Sequence, residues 1–436
     1  MITLYGKKRN LQADLPARWK VLHRIFKGAK EETESLEDKV AKALEHPIGS
    51  EALESRLTKG QRVAIVVDDL TRPTPIAIML PQVLDRVHKA GAKVQDVEIV
   101  IALGTHRPMT EDEIRARLGD RIASTYRISN HDAWAKDLVK VGELPGYGSI
   151  RVNKTVAEAD ARVTLGSILP HLHNGFSGGP KTVMPGISAV ETVLHHHLKN
   201  VTDYRSILGN TTQNPWYDDL RAIAAFTRIH FCLYALFDGF GKPYSMLAGN
   251  HDDVYETGMQ RVREDLGFPV SAKSDITIVS SYPYDDGPQV VKPIVPAALV
   301  TKPGGTIILC AEVAHPMPGQ FLDNVAKVRG DGGDEAEARI RARLSKRESL
   351  IEGGGSFGVD FNLALLLMFF ASRRFRVLFV ADHRQRAASE KMGFDFMPDL
   401  AEAIADEAAR KPDATVNVIP AGGYIFPLID EPMRLF

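Results

Sequence analysis

The chain has 436 residues, 44% hydrophobic and 25% charged, the composition of an ordinary globular protein with apolar content for two domains. A formal net charge of −1 and the lack of any dense Lys/Arg block exclude the broad field that a polynucleotide partner requires, and point to a small substrate. No apolar run approaches the length of about 18 residues that a membrane span needs, MITLYGKKRN has no signal-peptide core, and Cys232 and Cys310 sit in apolar runs; the expectation is a cytoplasmic protein with buried thiols and no disulfide framework.

From residue 62 strand and helix patterns alternate, which predicts an α/β protein with mainly parallel sheets. RVAIVVDD (62–69) reads as a buried strand. Thr74 and Pro75 suit the N-cap and first position of a helix whose apolar residues Ile76, Met79, Leu80, Val83, Leu84 and Val87 recur at helical spacing until Gly91. VEIVIALG (97–104) is the next strand, and Thr110 with Glu113 is a capping-box pair opening a short helix. Parallel strands joined by one helix make a right-handed crossover, so residues just past their C-terminal ends share a crevice. Asp68, Asp69 and Arg72 follow the first strand, and Thr105 and His106 the second. ARVTLGSIL (161–169), the third such strand, brings His171 and a glycine loop to the same edge.

HFCLYALFD and PYSMLAGN flank the turn Gly239–Lys242 and predict a hairpin over 230–250, with a helix over 251–265 after it. GFPVSAKS marks a boundary near 267–273. A second alternation follows: strand 275–281, helix 289–301, turn KPGG (302–305), strand 306–312, charged helix 334–348 and strand 376–382, while LALLLMFFA (363–371) has core-helix length. The expected organisation is two α/β domains, 1–268 and 274–400, with the active site in the cleft between them and a tail, 401–436, returning to the first domain.

PHLHNGFSGGPKTVMPG (170–186) carries the densest chemistry. It is not a P-loop, because Pro180 stands where the glycine before the lysine belongs and has no N–H to give a phosphate. Gly175, Gly178 and Gly179 would let backbone approach a bulky ligand that the Lys181 amine bonds or pairs with; the plain alternative is a cation at a loop end. His171 and His173 form an H-x-H pair, and His195, His196 and His197 follow. Consecutive helical residues fan out by roughly 100°, so at most two of the three can serve one metal; Asp69 and His106 could complete a set, and the alternative is a solvated histidine patch. Gln289 and Lys292, spaced i, i+3 at an expected helix start, could jointly hold a carboxylate or phosphate.

In matching order over roughly residues 60 to 300, DDLTRPTP (68–75), ALGTHRPMT (102–110), VNKTVAEAD (152–160), PHLHNGFSGGPKTVMPGIS (170–188) with His197, and YPYDDGPQVVK (282–292) resemble the lactate racemase family, the nickel-pincer-nucleotide enzymes. The resemblance implies a 2-hydroxy acid racemase or epimerase working by reversible hydride transfer from C2. It implies a nickel-pincer nucleotide, the pyridinium-3-thioamide-5-thiocarboxylic acid mononucleotide, covalently held at Lys181 within the loop of Gly178 and Gly179, and nickel bound by His197. His106 and His171 match paired acid/base histidines, Asp69 a carboxylate near them, and Arg72, Gln289 and Lys292 residues that hold substrate or cofactor. Implied partners are a small 2-hydroxy acid and cofactor-synthesis enzymes, with no nucleic acid or membrane and room for an oligomer. Pro180, His173 and Asn174 depart from the lactate enzyme's loop beside the reaction centre, so the substrate class extends beyond lactate. Two other readings stand beside this one: a zinc-type hydrolase using His171 and His173, and a non-catalytic small-acid-binding protein of the same fold.

Overall fold

The computed structural model describes residues 1–30, 34–352 and 357–429. Two six-stranded sheets organise them. The first uses β2 (Val63–Asp68), β3 (Val97–Ala102), β4 (Arg127–Asn130), β5 (Ala161–Ile168), β6 (Phe231–Phe237) and β7 (Pro243–Gly249), in the order β7-β6-β5-β2-β3-β4. All its pairs are parallel except the β6–β7 hairpin at the edge. The second is wholly parallel. It contains β1 (Lys20–Arg24), β8 (Ser274–Ser280), β9 (Thr301–Cys310), β10 (Arg376–Val380), β11 (Asp395–Met397) and β12 (Thr415–Ile419), in the order β11-β10-β9-β8-β12-β1. The mixed α/β class with large parallel sheets is therefore what the alternating pattern predicts.

β2 is apolar on both faces because helices cover both, and Val63 through Val67 are buried. The helix after it, α1 (Ile76–Lys89), buries the periodic stripe Ile76, Met79, Leu80, Val83, Leu84 and Val87. Pro75, not Thr74, occupies the N-cap, and the Thr74 hydroxyl donates instead to Asp68 Oδ2 at 2.5 Å. α2 (Glu111–Leu118) opens on the expected capping box of Thr110 and Glu113. The predicted helix over 289–301 is divided at Pro293 into a 3₁₀ turn, Gly287–Val291, and a short helix, Ile294–Val300. KPGG lies inside β9, where Gly304 at φ +72° accompanies a shift of register against β8, so the expected turn is an irregular strand start. The apolar run 363–371 lies in the helix Phe357–Arg374, and Leu365 through Ala371 are buried. No helix of the described residues is long and apolar enough to cross a membrane. Cys232 and Cys310 are buried and unoxidised.

One apolar core joins the two sheets. It includes Ile168, Phe176 and Trp216 from the first, and Val279, Val290, Leu309 and Phe369 from the second. This packing fixes the ends of β5 and β8 relative to one another.

Candidate active site

Register brings the ends of the central strands level: Asp68 on β2 pairs with Ala102 on β3, and Val67 with Leu165 on β5. The residues that follow open into a crevice of about 520 Å³ whose lining includes Asp69, Arg72, His106, Ser167, Gly178 and Lys181. This is the carboxyl edge of a parallel sheet, the place where crossover topology leaves room for a ligand.

The two aspartates after β2 have separate tasks. Asp68 holds the framework: its carboxylate accepts from Arg117 Nη2 on α2 at 2.5 Å and from Thr74. Burial raises its pKa, while the Arg117 charge and the Thr74 hydrogen bond act against the rise. Asp69 serves His106. Its Oδ2 lies 2.6 Å from His106 Nδ1, and its Oδ1 accepts from the Thr71 amide and hydroxyl at 3.0 and 2.6 Å. Burial alone would raise this carboxyl, but His106, Arg72 and Thr71 outweigh it and hold the group well below the usual carboxylate range. An ionised carboxylate only accepts, so His106 Nδ1 carries a proton, and in the neutral ring Nε2 is the nitrogen with the lone pair. Arg72 makes no side-chain hydrogen bond or ion pair among the described residues, although it lines the crevice half-buried.

β5 leads into a two-strand ribbon in which Pro170 pairs with Phe176 and His171 with Gly175. The chain turns back so tightly that the amides of His173 and Asn174 both donate to His171 Nδ1, at 3.3 and 3.2 Å. Burial, followed by the charges of Lys181, Lys292 and Arg72, depresses the His171 pKa well below the ordinary histidine value. Next come Gly178 and Gly179, with φ of +76° and +52°. A Cβ on Gly178 would lie 2.4 Å from the Ser167 carbonyl oxygen, and one on Gly179 2.4 Å from the Tyr255 ring, so both glycines are needed to seat the loop on β5 and on the helix His251–Leu266. Pro180 falls in the first turn of the 3₁₀ helix Gly179–Thr182, where a missing N–H costs nothing, and Lys181 follows it into the crevice lining.

The histidine triplet ends the helix Val190–Lys199 and fans out as helical geometry requires. His195 turns outward to Tyr147 and Arg347. His196 is buried, donates Nε2–H to the Trp216 carbonyl, and has a pKa lowered by burial to about 3, so it is a neutral packing group. His197 is buried too, and its Nδ1 lies 2.8 Å from the Val193 carbonyl. A carbonyl cannot donate, so Nδ1 carries the proton and Nε2 the lone pair that a metal would use. The Trp216 ring is in contact with His173, His196 and His197, at 4.8, 4.7 and 5.0 Å between centroids.

From the second half, Gln289 and Lys292 sit on the 3₁₀ turn after β8, where i and i+3 eclipse and share a face. The Lys292 charge reaches both His171 and His173, and Lys292 Nζ lies over the Tyr284 ring. The Gln289 side chain makes no hydrogen bond among the described residues. Sequence reasoning singled out Asp69, Arg72, His106, His171, Lys181, Gln289 and Lys292 but missed Arg117, Thr71, Ser167 and Trp216. Ser167 Oγ is buried in the lining with no partner among the described residues. Only Trp216 had a local signal, the N-cap and Pro pair Asn214–Pro215 before it. Among the described residues no group of three His, Cys, Asp or Glu side chains is arranged to hold a metal by itself, an arrangement that a zinc-type hydrolase built on His171 and His173 would need.

A family model described as the lactate racemase N-terminal domain matches residues 5–209. The chain is 32% identical to a lactate racemase of Thermoanaerobacterium thermosaccharolyticum, with 96% of each chain covered. It is 30% identical to a lactate racemase of Lactiplantibacillus plantarum, over 89% of this chain and 90% of that one. The structure superposes on the lactate racemase apoprotein of T. thermosaccharolyticum with a TM-score of 0.86 at 27% identity, covering 98% of this chain and 100% of that one. A protein from Thermotoga maritima shares the fold at a TM-score of 0.66 and 19% identity, over 91% and 99% of the two chains.

Proposed function

The chain belongs to the lactate racemase family, and from that premise we propose that it inverts C2 of a small 2-hydroxy acid with a nickel-pincer nucleotide tethered to Lys181. It is an enzyme of the isomerase class. The observation that carries the finer reading is the convergence, in one crevice, of a lysine, a carboxylate-oriented histidine and an arginine whose side chain makes no hydrogen bond or ion pair among the described residues.

The residues present fit such a group. His197 Nδ1 is held by the Val193 carbonyl, which leaves Nε2 as the nitrogen a metal would use, Lys181 lines the crevice, and Ser167 Oγ is a buried polar atom with no partner among the described residues. When bound, the nucleotide supplies an acceptor for the C2 hydride, leaving a planar 2-keto acid that can be reduced again on either face. Arg72 clamps the substrate carboxylate, a planar pairing that its fork of donors suits. His106 takes the hydroxyl proton at Nε2, and Asp69 stabilises the imidazolium that forms. His171, on which the Lys181, Lys292 and Arg72 charges act, serves as the second acid/base histidine in this reading, and Gln289 and Lys292 as holders of substrate or cofactor. The small-acid-binding reading shares this geometry but leaves the His106–Asp69 pair without a purpose.

The test is intact-mass and metal analysis of protein produced alongside cofactor-making enzymes, together with a chiral assay over aliphatic, dicarboxylic and sugar 2-hydroxy acids. Wild type should carry an added mass on the peptide containing Lys181, with nickel, and racemise at least one acid. Lys181→Ala should lose the mass and the activity together, and normal racemisation by that variant would refute the assignment.

A further inference from the structure

Another hollow, of about 1030 Å³, shares no lining residue with the crevice and lies between the two halves of the chain. From the first half its lining includes Lys199, at the end of the helix Val190–Lys199, with Asn200, Thr202 and Asp203 after it. From the second come Arg341, on the helix Asp334–Ser345, and Arg374, at the end of the helix Phe357–Arg374. Most charges around it are engaged. Lys199 pairs with Asp219 and Asp203 with Arg205, both at 2.7 Å. Asn200 Nδ2 donates to the Pro215 carbonyl and to Asp219. Glu337 is shared between two arginines, 2.8 Å from Arg341 Nε and 3.0 Å from Arg373 Nε, and Arg373 also reaches Asp334 at 2.7 Å.

Arg374 is the exception. It is half-buried, yet its side chain makes no hydrogen bond or ion pair among the described residues. Its guanidinium also stands among others: Arg341 and Arg374 both lie over the Phe370 ring, 5.3 and 6.0 Å from the centroid. Burial lowers its pKa, Glu337 opposes the fall, and the charges of Arg341 and Arg373 add to it. A guanidinium that has lost water and faces like charges costs free energy unless an acceptor meets it. The carbonyl end of its own helix carries a partial charge of only about one half, and Arg373 shares it. The Thr202 hydroxyl across the hollow likewise makes no hydrogen bond among the described residues. With Asp203 held by Arg205, Arg374 and Thr202 leave donors to be met, and donors call for an acceptor.

We infer that this hollow binds a small oxyanion, a phosphate or carboxylate group, on the Arg374 fork, with Thr202 as a second donor and the Arg341 charge beside it. A planar fork of donors suits either group. Its occupant touches both halves of the chain, Thr202 from the first and Arg374 from the second. The inference does not depend on the racemase reading.

Isothermal titration calorimetry with inorganic phosphate, pyrophosphate and succinate as separate probes tests it. Because Arg72 and Lys181 also offer an anion a place, the titrations compare wild type with Arg72→Met and Arg374→Met. At least one probe should bind with a Kd below about 5 mM, survive Arg72→Met, and weaken about 10-fold or more in Arg374→Met. The phosphate and succinate arms tell which oxyanion is preferred. No binding in that range, binding that Arg374→Met leaves unchanged, or a loss confined to Arg72→Met overturns the inference. Arg374→Met keeps an aliphatic stem over Phe370, so without any probe its thermal midpoint should rise as an unmet charge is removed. A lower midpoint would mean that the guanidinium already serves the fold, and the site would be withdrawn.

Discussion

At the carboxyl edge of the first sheet, β2, β3 and β5 pass into loops beside which the Arg72 side chain and Ser167 Oγ make no hydrogen bond among the described residues; at that of the second, the N-terminal segment fills the corresponding place. Arg72 and Ser167 Oγ are left for a ligand at the first edge. At the second, Ser280 Oγ donates to the Tyr5 carbonyl, Glu312 accepts from the amides of Lys8 and Arg9 at 3.0 and 3.2 Å, and Lys7 pairs with Asp285 at 2.6 Å. The remaining hollow there is about 290 Å³, against about 520 Å³ at the first. Parallel topology nominates both edges equally. What separates them is polar accounting: an edge whose donors and acceptors are met internally gains nothing from a ligand, whereas one with a buried hydroxyl and an unmatched guanidinium does.

Substitutions at the two edges should therefore read out differently. The largest effect is expected from Asp69→Asn, which removes the charge behind the base and should lower kcat/KM by roughly 10³-fold, with His106 titrating at lower pH in the rate profile. An unchanged profile would separate Asp69 from the base. Arg72→Met should raise KM by about 10²-fold with a smaller change in kcat, as expected for a lost charged clamp; a change in kcat alone would mean that Arg72 does not hold the carboxylate. Acid stability comes next. The Asp69 carboxyl is depressed in the fold, so its contribution is fully present above the unfolded value of about 4 and is lost as pH falls through the lower folded value. The stability gap between wild type and Asp69→Asn, measured by denaturant titration, should close below about pH 4. Smallest is Glu312→Gln at the filled edge, expected to cost about 1 kcal/mol of stability and leave kcat and KM as they were. A fall in kcat there would erase the contrast between the edges.

The site was legible wherever chemistry follows a strand end directly. Asp69, Arg72 and His106 could be placed because β2 and β3 are continuous apolar runs with clear stops, and Lys181 because glycines and a proline surround it. The fan of the triplet follows from helical pitch alone, and the structure turns His195 out and His196 and His197 in. Thr74 reads as an N-cap, yet its hydroxyl serves Asp68, because a buried carboxylate competes for it more strongly than the helix end does. Arg117 left no local sign at all: it is one of several arginines on a charged helix and gains its place only because α2 packs over the end of β2.

Short-range rules thus determined the strands, the capped helix, the order of the loops and which titratable residues fall at the carboxyl edge of the first sheet, since each depends on neighbours a few positions away. Tertiary structure alone decided which edge stays open, which guanidinium goes unmatched among the described residues and which nitrogen of His171 accepts two backbone amides. Those outcomes depend on amides and charges brought together from distant parts of the chain, where the cost of leaving a buried group unsatisfied is settled only once everything around it has packed.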